Sequence, residues 1–237
     1  PMSMAAELCR AIRTNLMFMA AESSSKTMVV TSANPEDGKT TVATNIAIAL
    51  AQSGQRVLLV DADLRRPRIH RTFDLDNRTG LTSTLVGERS LSQVTRDVGI
   101  EKLSVVTCGP LPPNPAELLH TRQFSQVLEE AESRYDRIIL DSPPLRAVTD
   151  AAIIAPQCGG ALLVVRAHAT TRDAVLATMQ SLRNVRAHVL GGVLNDVEPH
   201  RSGQGYSGGG YYGYYRNDPW DDGSDRDDDS GHSQSAA

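Results

Sequence analysis

Short apolar runs alternate with amphipathic stretches along most of the sequence. Six runs without strict apolar–polar alternation predict strands that are covered on both faces, at residues 27–33, 56–63, 103–109, 137–143, 161–167 and 188–196. The stretches between them have the apolar spacing of helices, at residues 39–52, 115–133, 149–156 and 171–185. This alternation predicts an α/β domain with a mostly parallel sheet and helices on both faces.

The two ends of the chain differ from this central part. Residues 4–20 carry apolar side chains at three- and four-residue steps, which predicts a helix within residues 1–25. After Val197 there is no valine, isoleucine, leucine, methionine or phenylalanine, so residues 199–237 are predicted to be a flexible, disordered tail. The folded domain is therefore expected over residues 26–198.

Charge is concentrated in this tail. The chain of 237 residues has a formal net charge of -4, and from residue 199 onward seven aspartates face three arginines. Residues 1–198 are thus electrically balanced, which gives no reason to expect nucleic acid as a partner. Three cysteines without CxxC spacing indicate buried thiols in a reducing compartment rather than disulfides or zinc ligands.

The stretch SANPEDGKTT, residues 32–41, follows the first predicted strand and opens a predicted helix. It matches the phosphate-binding pattern GxxxxGK[ST], the P-loop, except that Ala33 replaces the first glycine. In such a loop Gly38 permits close approach of the backbone, Lys39 contacts the β- and γ-phosphates, and the Thr40 hydroxyl can ligate Mg²⁺. A glycine turn that merely caps a helix is the alternative, and the strand–loop–helix context favours the phosphate site.

Three aspartates stand at the ends of predicted strands. Asp141 ends the run RIILD, while Asp61 and Asp63 end the run VLLVDAD. In an extended strand, residues two apart share a face, so Asp61 and Asp63 are expected to point into one pocket. Any one of them could simply end a strand. Three carboxylates at the carboxyl ends of strands, where α/β sheets bind ligands, predict nucleotide binding with Mg²⁺.

Further motifs accompany the P-loop along the chain. ELCRAIRTN places Glu7, Arg10 and Arg13 in an ExxRxxR pattern, and it is followed by DADLRRPRIH, GPLPPNPAELL, YDRIILDSPP and a terminal tyrosine cluster. In this order the motifs resemble those of the bacterial tyrosine kinase family, the P-loop kinases of capsule and exopolysaccharide synthesis. The resemblance covers nearly the whole chain. It implies a P-loop NTPase-like fold and transfer of phosphate from ATP to tyrosine hydroxyls.

The resemblance also implies roles for individual residues. Lys39, Asp61 and Asp63 would be catalytic, with Asp61 as the base that orients or deprotonates the tyrosine hydroxyl. Mg²⁺ would be held by Thr40, Asp63 and Asp141. ATP would be bound by the P-loop and by one residue after the last strand, namely Asn34, Pro35, Glu36, Asp37, Gly38, Lys39, Thr40, Thr41 and Asn195. Asn195 would contact adenine, and an asparagine that satisfies core hydrogen bonds is the alternative.

The tail would be the phosphate acceptor through its five tyrosines, Tyr206, Tyr211, Tyr212, Tyr214 and Tyr215. The resemblance implies a homo-oligomeric ring assembled through Glu7, Arg10 and Arg13, for which a solvated helical face is the alternative. Further implied partners are a membrane adaptor or activator and a cognate tyrosine phosphatase. The expected location is the cytoplasm, at the inner face of the cell membrane, through an adaptor segment that this sequence does not include.

One departure from the family pattern and one rival family leave alternatives open. Glu36 stands where family members commonly have glycine, and it adds a carboxylate near the phosphates. The ParA/MinD ATPases share the scaffold and would act as nucleotide-dependent interaction switches, but the position of their signature lysine is Asn34 here.

The segment between residues 65 and 71 contains a basic cluster, Arg65, Arg66, Arg68, His70 and Arg71. It could bind ATP phosphate, acidic tails or an activating partner, or it could be a solvated start of a helix. The aspartate-rich end of the tail is expected only to keep the chain soluble.

Overall fold

The computed structural model describes Thr14 and residues 26–197, and the centre of this part is a seven-stranded sheet. The strands are β1 (Thr27–Ser32), β2 (Val57–Asp61), β3 (Thr95–Asp97), β4 (Leu103–Val106), β5 (Arg137–Asp141), β6 (Gly160–Arg166) and β7 (Val189–Asn195). They lie in the order β3-β4-β2-β5-β1-β6-β7, and neighbouring strands are parallel except β3 with β4. The predicted α/β fold with a mostly parallel sheet is confirmed.

The helices of the described residues connect these strands. They are α1 (Lys39–Gln52), α2 (Ile69–Thr72), α3 (Leu81–Leu85), α4 (Leu91–Val94), α5 (Pro115–Leu119), α6 (Arg122–Arg134), α7 (Asp150–Ile154) and α8 (Arg172–Asn184), and a 3₁₀ turn (Ala155–Gln157) follows α7. The hydroxyl oxygen of Thr171 accepts a hydrogen bond from the backbone N–H of Ala174 at 3.2 Å and so caps the start of α8.

Helices cover both faces of the sheet. On one face Leu58 of β2 and Ile138 of β5 belong to a hydrophobic cluster that also contains Phe124 of α6. On the other face their chain neighbours Leu59 and Ile139 pack in a second cluster, which contains the apolar side of α1. Because both faces are buried, the strands read as continuous apolar runs rather than as alternating patterns.

The structure changes two predicted elements and adds an edge strand that was not predicted. The helix predicted at 115–133 is two helices, because the chain turns after α5 and Thr121 in extended conformation caps α6. The edge strand β3 was not predicted, because its three residues contain no apolar run. The predicted strand 56–63 ends at Asp61, so Asp63 lies in the following loop. The prediction that Asp61 and Asp63 share a strand face is therefore wrong.

Several predicted features lie outside the described residues. They are Glu7, Arg10 and Arg13, the five tail tyrosines, and, apart from Thr14, the segments 1–25 and 198–237. In the part of the chain that the structure describes, no helix combines the length and the apolar character needed to cross a bilayer.

Candidate active site

The P-loop joins β1 to α1 and turns at Gly38. This glycine precedes the first residue of α1 and has φ 93°, in the left-handed region that residues with a Cβ rarely adopt. A Cβ added to Gly38 would lie 2.0 Å from Nδ2 of Asn195. The backbone conformation therefore favours glycine, and a side chain at this position would also have to displace the Asn195 amide.

Side-chain contacts hold the shape of this loop. The buried Asp37 carboxylate accepts hydrogen bonds from the Asn34 backbone N–H at 2.9 Å and from the Thr170 hydroxyl at 2.8 Å. The side-chain amide of Asn195 donates to the backbone oxygen of Asp37 at 3.1 Å. The side-chain oxygen of Asn34 accepts from the Arg146 guanidinium at 3.0 Å. The side chains of three residues predicted to bind nucleotide thus contact other protein groups in this structure.

A cleft of about 550 Å³ lies beside the P-loop at the carboxyl ends of the central strands. This is the place where parallel α/β sheets bind ligands, and the volume is ordinary for a small-molecule site. Its walls come from the P-loop (Pro35, Glu36, Gly38, Lys39, Thr40, Thr41), from the segment after β2 (Asp63, Arg65, Arg66, Arg68) and from the segment after β5 (Pro143, Pro144, Ala147, Val148).

Thr40 and Asp141 are in direct contact at the base of this site. The Thr40 hydroxyl donates a hydrogen bond to Oδ2 of Asp141 at 2.6 Å. Burial raises the pKa of Asp141 to about 7, against the opposing effects of this hydrogen bond and of the positive charge of Lys39. The other oxygen, Oδ1, is buried and has no hydrogen-bond partner among the described residues. A buried carboxylate oxygen without a partner is costly unless a cation or donor reaches it.

These residues fit Mg²⁺. In the described part of the chain no group of three or more His, Cys, Asp or Glu side chains is arranged to hold a metal ion. Mg²⁺ is usually held by one or two carboxylates together with substrate phosphates and water rather than by an all-protein cage. The Thr40 hydroxyl and the free oxygen of Asp141, next to a phosphate-binding loop, match this pattern.

Asp61 lies beside Asp141 but does not line the cleft. The two aspartates are paired in register at the ends of β2 and β5. The Asp61 side chain is 0% exposed and accepts hydrogen bonds from the backbone N–H groups of Asp63, Arg68 and Ile69 at 3.3, 3.1 and 2.9 Å. Burial, and secondly the charge of Asp141, raise the pKa of Asp61 well above its ordinary value.

Asp63 is the carboxylate after β2 that lines the cleft. Its Oδ1 accepts hydrogen bonds from the backbone N–H groups of Arg65 and Arg66 at 3.2 and 2.9 Å, which orients the side chain. The Arg65 guanidinium also lines the cleft and is paired with Asp150 at the start of α7. Asp150 and Thr170 are site residues that the sequence did not indicate, because both act through partners distant along the chain.

The P-loop, the strand-end aspartates and the cleft define a P-loop NTPase-like domain. A family model described as "AAA domain" matches residues 25–186. The chain is 39% identical over 215 residues to "Tyrosine-protein kinase YwqD" of Bacillus subtilis, covering 91% of this chain and 88% of that protein. It is 40% identical over 197 residues to "Tyrosine-protein kinase etk" of Escherichia coli, covering 83% of this chain but only 27% of that longer protein.

Among solved structures, the kinase domain of the Escherichia coli tyrosine kinase ETK matches with a TM-score of 0.80 and 39% identity, over 85% of this chain and 78% of that chain. The chain therefore belongs to the bacterial tyrosine kinase family, as its motifs indicated. The septum site-determining protein MinD of Pyrococcus horikoshii, solved with Mg-ADP, shares the fold alone, with a TM-score of 0.62 and 22% identity over 71% of this chain and 69% of that chain.

Proposed function

We propose that this chain is an ATP- and Mg²⁺-dependent protein tyrosine kinase that phosphorylates its own C-terminal tyrosine cluster, in trans within an oligomer. The observation that carries this proposal is the 2.6 Å hydrogen bond between Thr40 and Asp141 beside the P-loop. A P-loop threonine and a strand-end aspartate are the pair that serves Mg²⁺ in P-loop phosphoryl transfer. Membership of the tyrosine kinase family supports tyrosine as the acceptor.

The protein supplies positioning and positive charge. Lys39 is buried at the wall of the cleft, where its ammonium can neutralise charge on the β- and γ-phosphates. The N–H groups at the start of the 14-residue helix α1 add the favourable end of the helix dipole. Thr40, Asp63 and Asp141 would hold Mg²⁺, which when bound stabilises the negative charge on the transferring phosphate.

In the proposed reaction the tyrosine hydroxyl oxygen attacks the γ-phosphorus of ATP. A bond forms between these two atoms while the bond from the γ-phosphorus to the bridging oxygen breaks, and ADP leaves. The phenolic proton passes to a carboxylate, which we assign to Asp61 from the family resemblance. Asp61 is fully buried, so this role requires the loop after β2 to shift.

Asn195 has two proposed roles that can be separated. Its side-chain amide donates to the P-loop backbone, and the family resemblance suggests contact with adenine. If the P-loop contact is its whole role, Asn195→Ala will weaken ATP and GTP binding by similar factors. Loss confined to ATP would assign the adenine contact to Asn195.

The cellular role is proposed from the family. We place the chain in the cytoplasm at the inner face of the membrane, regulating capsular or exopolysaccharide synthesis and export. A membrane adaptor would activate it, a tyrosine phosphatase would reverse its modification, and Glu7, Arg10 and Arg13 would assemble the oligomer. Sedimentation of the Arg10→Ala/Arg13→Ala variant tests the assembly, since an unchanged mass would contradict it.

The decisive experiment is phosphate transfer in the purified chain. With labelled ATP and Mg²⁺ we expect label on one or more of the five tail tyrosines, located by mass spectrometry. Lys39→Met should abolish the label, while Lys102→Met, at an exposed lysine outside the cleft, should not. ATP binding without tyrosine label would instead favour a nucleotide-dependent interaction switch of the ParA/MinD kind.

Transfer between copies has its own test. A Lys39→Met chain with intact tyrosines serves as substrate, and a chain with all five tail tyrosines changed to phenylalanine serves as enzyme. Label on the Lys39→Met chain in the mixture demonstrates transfer in trans. Label that appears only when one chain holds both the lysine and the tyrosines would show that transfer occurs within a chain.

A further inference from the structure

Three arginines with unpaired side chains lie within six residues of one another along the segment after β2. Arg66, Arg68 and Arg71 are exposed, and within residues 26–197 their guanidinium groups make no hydrogen bond or ion pair. Arg65, their neighbour, is already paired with Asp150. We define Arg66, Arg68 and Arg71 as the arginine patch. Three like charges within six residues repel one another, so the patch favours an anionic partner.

The position of the patch indicates the size of that partner. Arg66 and Arg68 line the cleft, so an anion bound to them lies at its mouth. Arg71 is in α2 and does not line the cleft. In the proposed function the P-loop and Lys39 hold the phosphates of the nucleotide. A partner that contacts all three arginines must therefore extend beyond a nucleotide, as an acidic stretch of polypeptide would.

The chain itself contains such a stretch. Residues 218–229 hold seven aspartates and one arginine, whereas the rest of the chain has a small net positive charge. This segment begins three residues after Tyr215, the last tyrosine of the cluster. An extended chain advances at most about 3.3–3.6 Å per residue, so Tyr215 can lie roughly 10 Å from the first aspartate and Tyr211 roughly 25 Å from it. Aspartates at the cleft mouth would thus keep the tyrosines within reach of the cleft.

We propose that the arginine patch of one copy binds the aspartate-rich segment 218–229 of a second copy and so delivers the preceding tyrosines to the cleft. This inference rests on the proposed tyrosine kinase function and adds a substrate-docking site to it. The aspartates then determine the order of modification. The tyrosines nearest to them, Tyr211 to Tyr215, are phosphorylated before the more distant Tyr206.

Binding is tested without any phosphate transfer. The probe is a fluorescent peptide of residues 216–237, which contains no tyrosine and cannot be a substrate. The receptor is the full chain with the seven aspartates of 218–229 changed to asparagine, so that its own tail does not compete. We expect salt-sensitive binding in fluorescence anisotropy, because exposed charges are screened over about 8–10 Å near physiological ionic strength.

Charge reversal identifies the surface involved. Arg66→Glu/Arg71→Glu in the receptor should weaken peptide binding roughly fivefold to thirtyfold, the range expected for the loss of two exposed ion pairs. The matched control is Arg89→Glu/Arg172→Glu, at two exposed arginines outside the cleft, and it should change the affinity less than about twofold. Equal effects of the two double variants would overturn the proposal. So would a patch reversal that weakens ATP binding and leaves the peptide unaffected.

A kinetic experiment then separates docking from chemistry. The substrate is the Lys39→Met chain, with either the native aspartates or the seven asparagines. The enzyme is the chain with phenylalanine at the five tyrosines and asparagine at its own seven aspartates, so that its tail does not compete. The asparagine tail should raise the half-saturating substrate concentration at least about fivefold, with little change in the maximal rate. If the substrate with the asparagine tail has the same half-saturating concentration as the native substrate, the docking site is refuted and the kinase function is unaffected. Absence of phosphate transfer from both substrates would refute the kinase function, and the peptide measurement would still decide the docking site.

Discussion

The Arg65 guanidinium donates two hydrogen bonds to the buried carboxylate of Asp150, from Nε to Oδ2 at 2.8 Å and from Nη2 to Oδ1 at 3.0 Å. Arg65 belongs to the segment after β2 that also carries Asp63, and Asp150 begins α7 after β5. The pair therefore ties together two walls of the cleft. The Asp150 side chain is 0% exposed and that of Arg65 is 40% exposed. Asp150 therefore has no access to solvent if the ion pair is broken, whereas Arg65 does.

We expect Arg65→Ala to destabilise the protein more than Asp150→Ala. Removal of Arg65 leaves a buried carboxylate without its ion-pair partner, which costs about 1–3 kcal/mol. Removal of Asp150 leaves an arginine that can turn to solvent. The double variant should therefore be more stable than Arg65→Ala alone, as measured by chemical denaturation.

The control for this double-mutant comparison is the surface ion pair of Arg56 and Asp136, whose side chains are 58% and 41% exposed. Arg56→Ala should cost less than about 1 kcal/mol, because exposed ion pairs contribute little. If Arg65→Ala cost no more than Arg56→Ala, the pair with Asp150 would have no structural importance.

Local sequence was sufficient to predict the P-loop and the end of β5. The glycine, lysine and threonine of the loop are consecutive, and Asp141 directly follows a buried apolar run. The end of β2 was misjudged because burial continues past the strand. Ala62 and Leu64 are buried although both lie in the loop, so the apolar pattern does not mark the point where strand pairing stops.

The contacts that shape the site were not predictable from local patterns. Asp150 pairs with a residue 85 positions away, and the Asp37 carboxylate bonds a threonine 133 positions away. Such contacts are created by the strand order, which places β5 between β1 and β2 and β6 on the other side of β1. A single sequence shows which elements form, but it does not show this order.

Replacing Glu36 with glycine should stabilise the protein and strengthen nucleotide binding. Glu36 has φ 65°, a left-handed conformation that costs a residue with a Cβ about 1–2 kcal/mol. Glu36→Gly also removes a carboxylate from the wall of the cleft. We expect a gain of about 1 kcal/mol in unfolding free energy, and tighter ATP binding by calorimetry.

Glu101→Gly provides the matched comparison for Glu36→Gly. Glu101 is exposed and its φ is not positive, so glycine there should lower stability by about 0.5–1 kcal/mol. A gain of stability in Glu36→Gly together with a loss in Glu101→Gly would support backbone strain at Glu36. A loss of stability in both would contradict it.

Gly38→Ala should abolish most nucleotide binding. The added Cβ would lie 2.0 Å from the Asn195 amide at a φ of 93°, so the Asn195 side chain or the P-loop must move. Gly54→Ala is the control, because Gly54 has φ 96° and the nearest atom to its Cβ would be the Lys102 ammonium at 3.6 Å. Gly54→Ala should lose stability through its backbone strain and retain ATP affinity within about twofold.

The clash also predicts a compensating pair. Asn195→Ala alone should destabilise the protein, because it removes the hydrogen bond to the Asp37 backbone oxygen. In the Gly38→Ala background the same change removes the atom that the new methyl group meets and should raise stability. A thermal melt of the four proteins measures this reversal of sign, and additive losses would show that Asn195 does not restrict the loop.

The stability of the metal-free protein should fall as the pH rises from about 4 to 7, in part because of Asp141. Burial raises the pKa of this carboxyl from 3.8 to about 7, so the folded state binds its proton more tightly than the unfolded state does. The resulting stabilisation is complete below pH 4 and is lost as the pH rises through 7. Unfolding in urea with EDTA should show a decrease of roughly 2–4 kcal/mol across this range.

Asp141→Asn should flatten this dependence, because the amide does not ionise and its neutrality also lowers the pKa of the neighbouring Asp61. Asp136→Asn is the control, since the Arg56 guanidinium lowers the pKa of that exposed carboxyl to about 2. Asp136 titrates below pH 4, so its substitution should change the unfolding free energy by a small and nearly constant amount between pH 4 and 7. The same steep decrease in Asp141→Asn as in the native chain would show that Asp141 is not the group responsible. Added Mg²⁺ and ATP should stabilise the native chain more at pH 8 than at pH 5, because a carboxylate must lose its proton to bind the cation.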